Sequence, residues 1–419
     1  MNTLTSTMDL KHLKDFFKRI DLLDYLFYLV ILTFYIGKAF KPAVFLVDLV
    51  FLIEVYKKRD FWQRVKYYKS FIVALVLFAC YLMIQGMFFV DFRSEVLRST
   101  FEEIMYMIMV VAAIYHFQNF QQLKRLIFVT WFSVSLVLLD ALYQYFTGHD
   151  VFGYGFTTGG HRLSAWRGDK SVLGPILGFF GGILFVTPFL LKEKKWKIVG
   201  WIIAILLVVV IVLAGNRSPI LAFFSAIFFV IIISKYRKYL IALLSVLLVT
   251  FFLVLKTNPY LSDKYEALLH PTTNSATSNR YHIFLTVLEV IKEHPWMGIG
   301  PGAYEKYHLE ATKKVDWKKY KQYQVEYFMK NAPTHAHSVF LDMILSYGLI
   351  GFGFLLYMLY HFFKQFVFVN EYTKLASLGL FYCITPFAFS RAFTVDTWQY
   401  MTYLSMVFVI VVAKSKESY

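Results

Sequence analysis

Along this chain, apolar residues gather in runs of about 16 to 22, each closed by a short polar connection, the length a helix needs to cross a hydrocarbon core. The runs fall near 21–37, 40–56, 71–90, 101–117, 126–146, 172–191, 198–214, 219–234, 239–255, 338–361, 374–389 and 398–413. The ten-residue alternation of a barrel strand is absent. In lipid every backbone N–H and C=O must be satisfied within its own segment, so these runs predict helices. The expected fold is an all-α integral membrane protein with about twelve transmembrane helices and one large, partly helical outer loop.

That loop, 256–337, divides the chain into a bundle of about nine spans (1–255), a loop domain (256–337), and three spans with a short tail (338–419). Within it, Ile283, Phe284, Val287, Leu288 and Ile291 repeat at helical spacing and predict a helix over Tyr281–Ile291, with Ser278 and Asn279 as caps. His294-Pro295 ends it, and a glycine-rich turn follows, Gly298-Ile299-Gly300-Pro301-Gly302. A basic, aromatic stretch from Lys313 to Lys330 suits a membrane interface or the cover of a cleft.

Composition agrees: 58% hydrophobic, 20% aromatic and a mean hydropathy of +0.55 exclude a soluble globular domain. The net charge of +16 suggests nucleic acid at first sight, but its placement does not. Basic residues alternate between connections. They crowd 11–19, 57–69, 124–125, 192–197, 235–238, 364–374 and 414–416, and thin out in the turns between. Positive-inside bias then places both termini in the cytoplasm. The charge serves topology and contact with anionic membrane lipids, with no nucleic-acid partner. Residues 1–20 are polar and basic, unlike a cleavable signal. Cys80 and Cys383 both fall within predicted spans, which disfavours a structural disulfide.

Candidate chemistry collects on the outer side. His337, in Thr334-His335-Ala336-His337-Ser338, offers an imidazole suited to proton transfer at the wet end of a span; an interfacial hydrogen bond, or metal ligation with His335, is the plainer alternative. No acidic metal motif accompanies the pair. Arg217 lies in the tight turn Ala214-Gly215-Asn216-Arg217-Ser218-Pro219, where its fork suits a diphosphate or carboxylate, or simply headgroups. Arg280 opens the predicted loop helix, whose free N–H groups also attract anions. Arg391 and Asp396 share the last outer turn and can pair. Arg162, Arg167 and Lys170, in the glycine-rich connection 153–170, extend a possible anion site. Asp140 and Asp342 sit near outer span ends, and such sparse intramembrane charge argues against an ion-coupled transporter.

Several of these pieces, in this order, resemble the O-antigen ligase and polymerase superfamily of bacterial inner-membrane glycosyltransferases. His337-Ser338 followed by Gly348-Leu349-Ile350-Gly351 looks like the family's histidine, with Ser338 in place of the commoner Asn, and its downstream glycines. Arg217 matches the outer-turn arginine and Arg280 the arginine opening the large periplasmic segment. Pro295-Trp296-Met297-Gly298-Ile299-Gly300-Pro301-Gly302 resembles the family's proline-and-glycine turn, and Asp169 with Leu173-Gly174 the loop before a span. The likeness covers roughly 150–400. It implies glycan transfer from an undecaprenyl-diphosphate donor to a hydroxyl of lipid A-core oligosaccharide. The reaction would need neither metal nor cofactor, and would face the periplasm of the inner membrane. His337 would be the general base, Arg217 and Arg280 would hold the diphosphate, and Arg162, Arg167, Lys170, Arg391, Asp396 and His335 would bind substrate. A polysaccharide polymerase of the same superfamily is the nearest alternative. A protein-directed oligosaccharyltransferase and a lipid-linked glycan flippase or transporter are more distant ones.

Overall fold

The computed structural model describes residues 20–415 apart from 37, 158–161, 166–172, 258–261, 263–274, 318–325, 327–332, 334 and 387–392; for 275–282 and 396 the backbone alone is described. Each predicted apolar segment is helical. In order these are α1 (Leu22–Thr33), α2 (Phe40–Lys58), α3 (Phe61–Phe88), α4 (Arg93–His116), α5 (Phe120–Thr147), α6 (Gly174–Leu190), α7 (Lys194–Leu213), α8 (Arg217–Ile233) and α9 (Arg237–Thr257). The long segment between α9 and the next apolar helix adds α10 (Ser275–Glu293) and α11 (Tyr304–Lys314). The chain continues with α12 (Val339–Val367), the short pair α13 (Glu371–Ala376) and α14 (Leu378–Ile384), and α15 (Asp396–Lys414). Five helices, α3, α5, α7, α9 and α12, are long and apolar enough to cross a membrane, and α1, α6 and α8 are apolar but shorter. This is a multi-pass, all-helical membrane protein. Among the described residues β-bridge pairing is limited to two isolated bridges, His149–Gly155 and Thr157–Arg162.

The bundle is organised around α15. Every residue from Trp398 to Ser415 is buried, packed against α4, α6, α13 and α14. A helix apolar on all sides needs neighbours on all sides, and its few polar groups are matched. The Glu103 carboxylate of α4 accepts from Tyr403 Oη at 3.0 Å, Gln399 Nε2 at 3.0 Å and, from α12, Tyr347 Oη at 2.8 Å. At the other end Lys414 Nζ donates to the carbonyl of Ile114.

Intramembrane charge is therefore less sparse than Asp140 and Asp342 alone suggest. Asp24, Asp48 and Glu103 are also buried, in α1, α2 and α4. Asp24 bonds His116 Nε2 at 2.8 Å and Arg125 at 3.3 Å. Asp24 and Glu103 face protein donors, whereas neither carboxylate oxygen of Asp48 has a hydrogen-bond partner among the described residues; a hydropathy profile does not record which way a side chain faces.

Between α9 and α12 a second, smaller core forms from Val287 and Val290 of α10, Ile299 and Tyr304, closed by Val96 of α4 and Leu345 of α12. Tyr304 Oη meets Thr286 Oγ1 at 2.7 Å, and burial pushes its phenol pKa up. Two expectations change here. Helix α10 begins at Ser275, so Ser278 and Asn279 lie inside it rather than capping it. Arg280 is in its second turn, where its N–H is already within the helical ladder and offers nothing to an anion. Helix α11 was not expected, although Tyr304, His308, Ala311 and Thr312 mark its buried face at helical spacing.

Candidate active site

The His337 end of α12 is built from two glycine-dependent features. At Gly348 the backbone turns to φ 63°, ψ −179°, a conformation essentially confined to glycine, and the apolar run 339–362 breaks into two half-helices. The break is clipped to the turn after α10, where Gly298 has φ 67°. Ile299 N–H donates to Leu345 O (3.0 Å) and Gly300 N–H to Ser346 O (2.9 Å); Leu349 N–H donates to Pro295 O (2.9 Å) and Ile350 N–H to Trp296 O (3.1 Å). These four bonds satisfy groups that the break would otherwise strand in an apolar interior. A side chain at either glycine would collide with the other strand: Gly348 faces Trp296 O and Gly298 N, and Gly298 faces Gly348 N. Gln85 and Tyr81 of α3 seal the crossing, the former on Ser346 O at 2.7 Å and the latter on Tyr347 O at 2.5 Å.

The first half of α12 aims its N-terminus at His337. Ser338 is the N-cap, extended at φ −148°, its hydroxyl accepting from Leu341 N–H at 3.4 Å. One turn on, the buried Asp342 carboxylate accepts from Thr394 N–H at 2.8 Å and Thr394 Oγ1 at 2.7 Å, and from the N–H groups of Ala336 and Phe393. Asp342 thus ties the residue before His337 to the turn before α15. Held on both sides, His337 takes φ 52°, a left-handed conformation rare for residues with a side chain. Its half-buried ring lies against His335, centroids 4.2 Å apart.

Arg217 is the first residue of α8, half-buried, after Gly215 at φ 67° and the extended Asn216. Asn216 Nδ2 closes the turn on Ala214 O at 3.0 Å. The start of α6 backs it: a Cβ at Gly174 would lie 2.9 Å from Asn216 Nδ2. Gln144 of α5 organises the preceding connection, its Oε1 accepting from Ser164 and Ala165 N–H and its Nε2 donating to Gly155 O (2.9 Å). Arg162 sits in this frame, half-buried, its carbonyl accepting from Thr157 N–H.

Hydrogen bonds between elements gather these starts at one end of the bundle. Tyr382 Oη of α14 donates to Pro175 O of α6 at 2.9 Å, and Asp342 joins α12 to the turn before α15. His337, His335, Arg217 and Arg162 therefore share this end. Among them the described direct contact is that between the two histidines. Asp396 begins α15 and Arg280 lies in α10, both known by backbone alone, while Arg167, Lys170 and Arg391 lie outside the described residues. Reasoning from sequence missed the clamp by Asp342 and Thr394 and the Glu103 cluster. A carboxylate inside an apolar run was the available signal. Among the described residues no group of three or more His, Cys, Asp or Glu is placed to hold a metal.

No curated protein matches the chain. Residues 202–356, from within α7 to the second half of α12, match the family model for O-antigen ligase. That segment contains the Arg217 turn, α10, the Gly298–Gly348 clip and His337, and over it the chain is similar to the O-antigen ligase family.

Proposed function

We propose that the chain is an O-antigen ligase, moving a glycan from an undecaprenyl-diphosphate carrier to a hydroxyl of lipid A-core oligosaccharide on the periplasmic side of the inner membrane. The observation that carries this reading is the construction around His337, an imidazole held in a left-handed turn at a helix start by Ser338 and Asp342. Such a base can take the acceptor proton as the hydroxyl oxygen attacks the anomeric carbon. The bond to the diphosphate breaks as the new one forms, inverting that centre. Charge then develops on the departing diphosphate, where Arg217 stands at the N-terminus of α8, a cation added to free N–H groups. Arg280 completes the pair in this proposal from its position in α10, while His335, Arg162, Arg167, Lys170, Arg391 and Asp396 line the path of the glycan.

The test is complementation of a strain lacking the chain, read on lipopolysaccharide gels. Loss of all O-chain from lipid A-core, with polymer accumulating on its carrier, is the ligase outcome; cores bearing a single repeat identify a polymerase instead. In reconstituted membranes, His337→Ala should reduce transfer by roughly 100-fold or more, and an unchanged rate removes His337 as the base.

A further inference from the structure

We infer that α2, α3 and α4 form a binding site for an anionic phospholipid, separate from the His337 end. A cleft of about 660 Å³ opens between these helices, within the range that encloses a small ligand. Its walls are apolar throughout apart from the Cys80 thiol: Phe51 and Val55 from α2, Val76 and Ala79 from α3, Met107 and Val111 from α4. Such a lining takes a hydrocarbon chain and offers nothing to a sugar. What selects the lipid is the charge at its two ends. One end is framed by Phe61 and Trp62, at the connection 57–66. There Lys58 is matched by Glu54 at 2.6 Å and Arg64 by Asp60 at 2.6 Å. Lys57, Arg59 and Lys66 are exposed and form no ion pair with any described residue. Trp62 is 59% exposed and Tyr67 72%, the aromatic placement of a headgroup boundary. At the opposite end, near Ile84 and Ile104, the nearby charges are matched: Lys41 bonds Glu102 at 2.7 Å and Arg98 approaches it at 3.8 Å. Three unmatched cations at one end of an acyl-sized cleft fit a phosphate headgroup there.

The test uses the full chain, delipidated in detergent, with retained lipid read by native mass spectrometry. The probes are phosphatidylglycerol, phosphatidylethanolamine and undecaprenyl phosphate. Phosphatidylglycerol should be retained roughly tenfold more than the zwitterionic lipid, and it should slow maleimide labelling of Cys80. The surface variant Lys57→Ala/Arg59→Ala/Lys66→Ala should lose the preference while keeping its fold, and Ala79→Trp should weaken retention of both lipids. Equal retention of the two phospholipids, a preference that survives the triple substitution, or undecaprenyl phosphate displacing phosphatidylglycerol from the Cys80 cleft overturns the inference.

Discussion

Replacing Gly348 with alanine tests the clip that shapes the candidate active site. The residue sits at φ 63°, ψ −179°, where any side chain costs about 1–3 kcal/mol in backbone strain. The added methyl would also meet Trp296 O and Gly298 N, backbone atoms that cannot rotate away. Relief requires parting the two strands, which share four hydrogen bonds worth about 0.5–1.5 kcal/mol each. The chain will take the cheaper course, so the strain and a partial loss of these bonds together set the cost at about 3–5 kcal/mol. Gly353, five residues on in the same helix, is the internal control: a Cβ there meets nothing within 4 Å and its φ is ordinary, so alanine should be neutral or stabilise by up to about 1 kcal/mol. Thermal unfolding of the purified proteins in one detergent measures both, at roughly 1–2 °C per kcal/mol for a chain of this size. Limited proteolysis should cut Gly348→Ala faster between α10 and α11. Equal midpoints and equal cutting for the two alanine variants would show that the break in α12 does not depend on this glycine.

Asp342→Asn should lower transfer far more than Thr394→Ala, because the amide keeps a single acceptor oxygen for a carboxylate site with several donors; if Asp342 positions His337, the pH–rate profile also moves, whereas a loss of folded protein alone leaves its shape intact. Glu103→Leu should cost about 3 kcal/mol or more by stranding Tyr347, Tyr403 and Gln399, and Glu103→Gln much less. Comparable unfolding midpoints for the two Glu103 variants would deny the cluster that role.

Hydropathy located the helices well, because it reports a property each segment must have by itself in lipid. It does not report how segments face one another. The run 338–361 reads as one span because a single glycine barely changes a hydropathy sum over a whole span, and the break at Gly348 depends on a partner segment some fifty residues earlier in the chain. Ser278 and Asn279 misled for a related reason: cap-forming residues continue a helix when the preceding turn is already wound. At the candidate site, His337, Arg217 and Arg280 were legible as residue types in a motif. Asp342 was legible as a charge near a span end, yet its partners in the turn before α15 were not, since only the fold brings 342 to 394.

Helix α15 has a consequence for biogenesis. It is translated after every helix it touches, and those neighbours surround it on all sides. Until it leaves the ribosome, α4 and α6 enclose a vacancy, and Glu103 faces that vacancy without Tyr403 or Gln399. The membrane-inserted intermediate must therefore stay open on one flank to admit its keystone. A chain arrested before residue 396 leaves the buried Glu103 with Tyr347 as the remaining one of its three described donors.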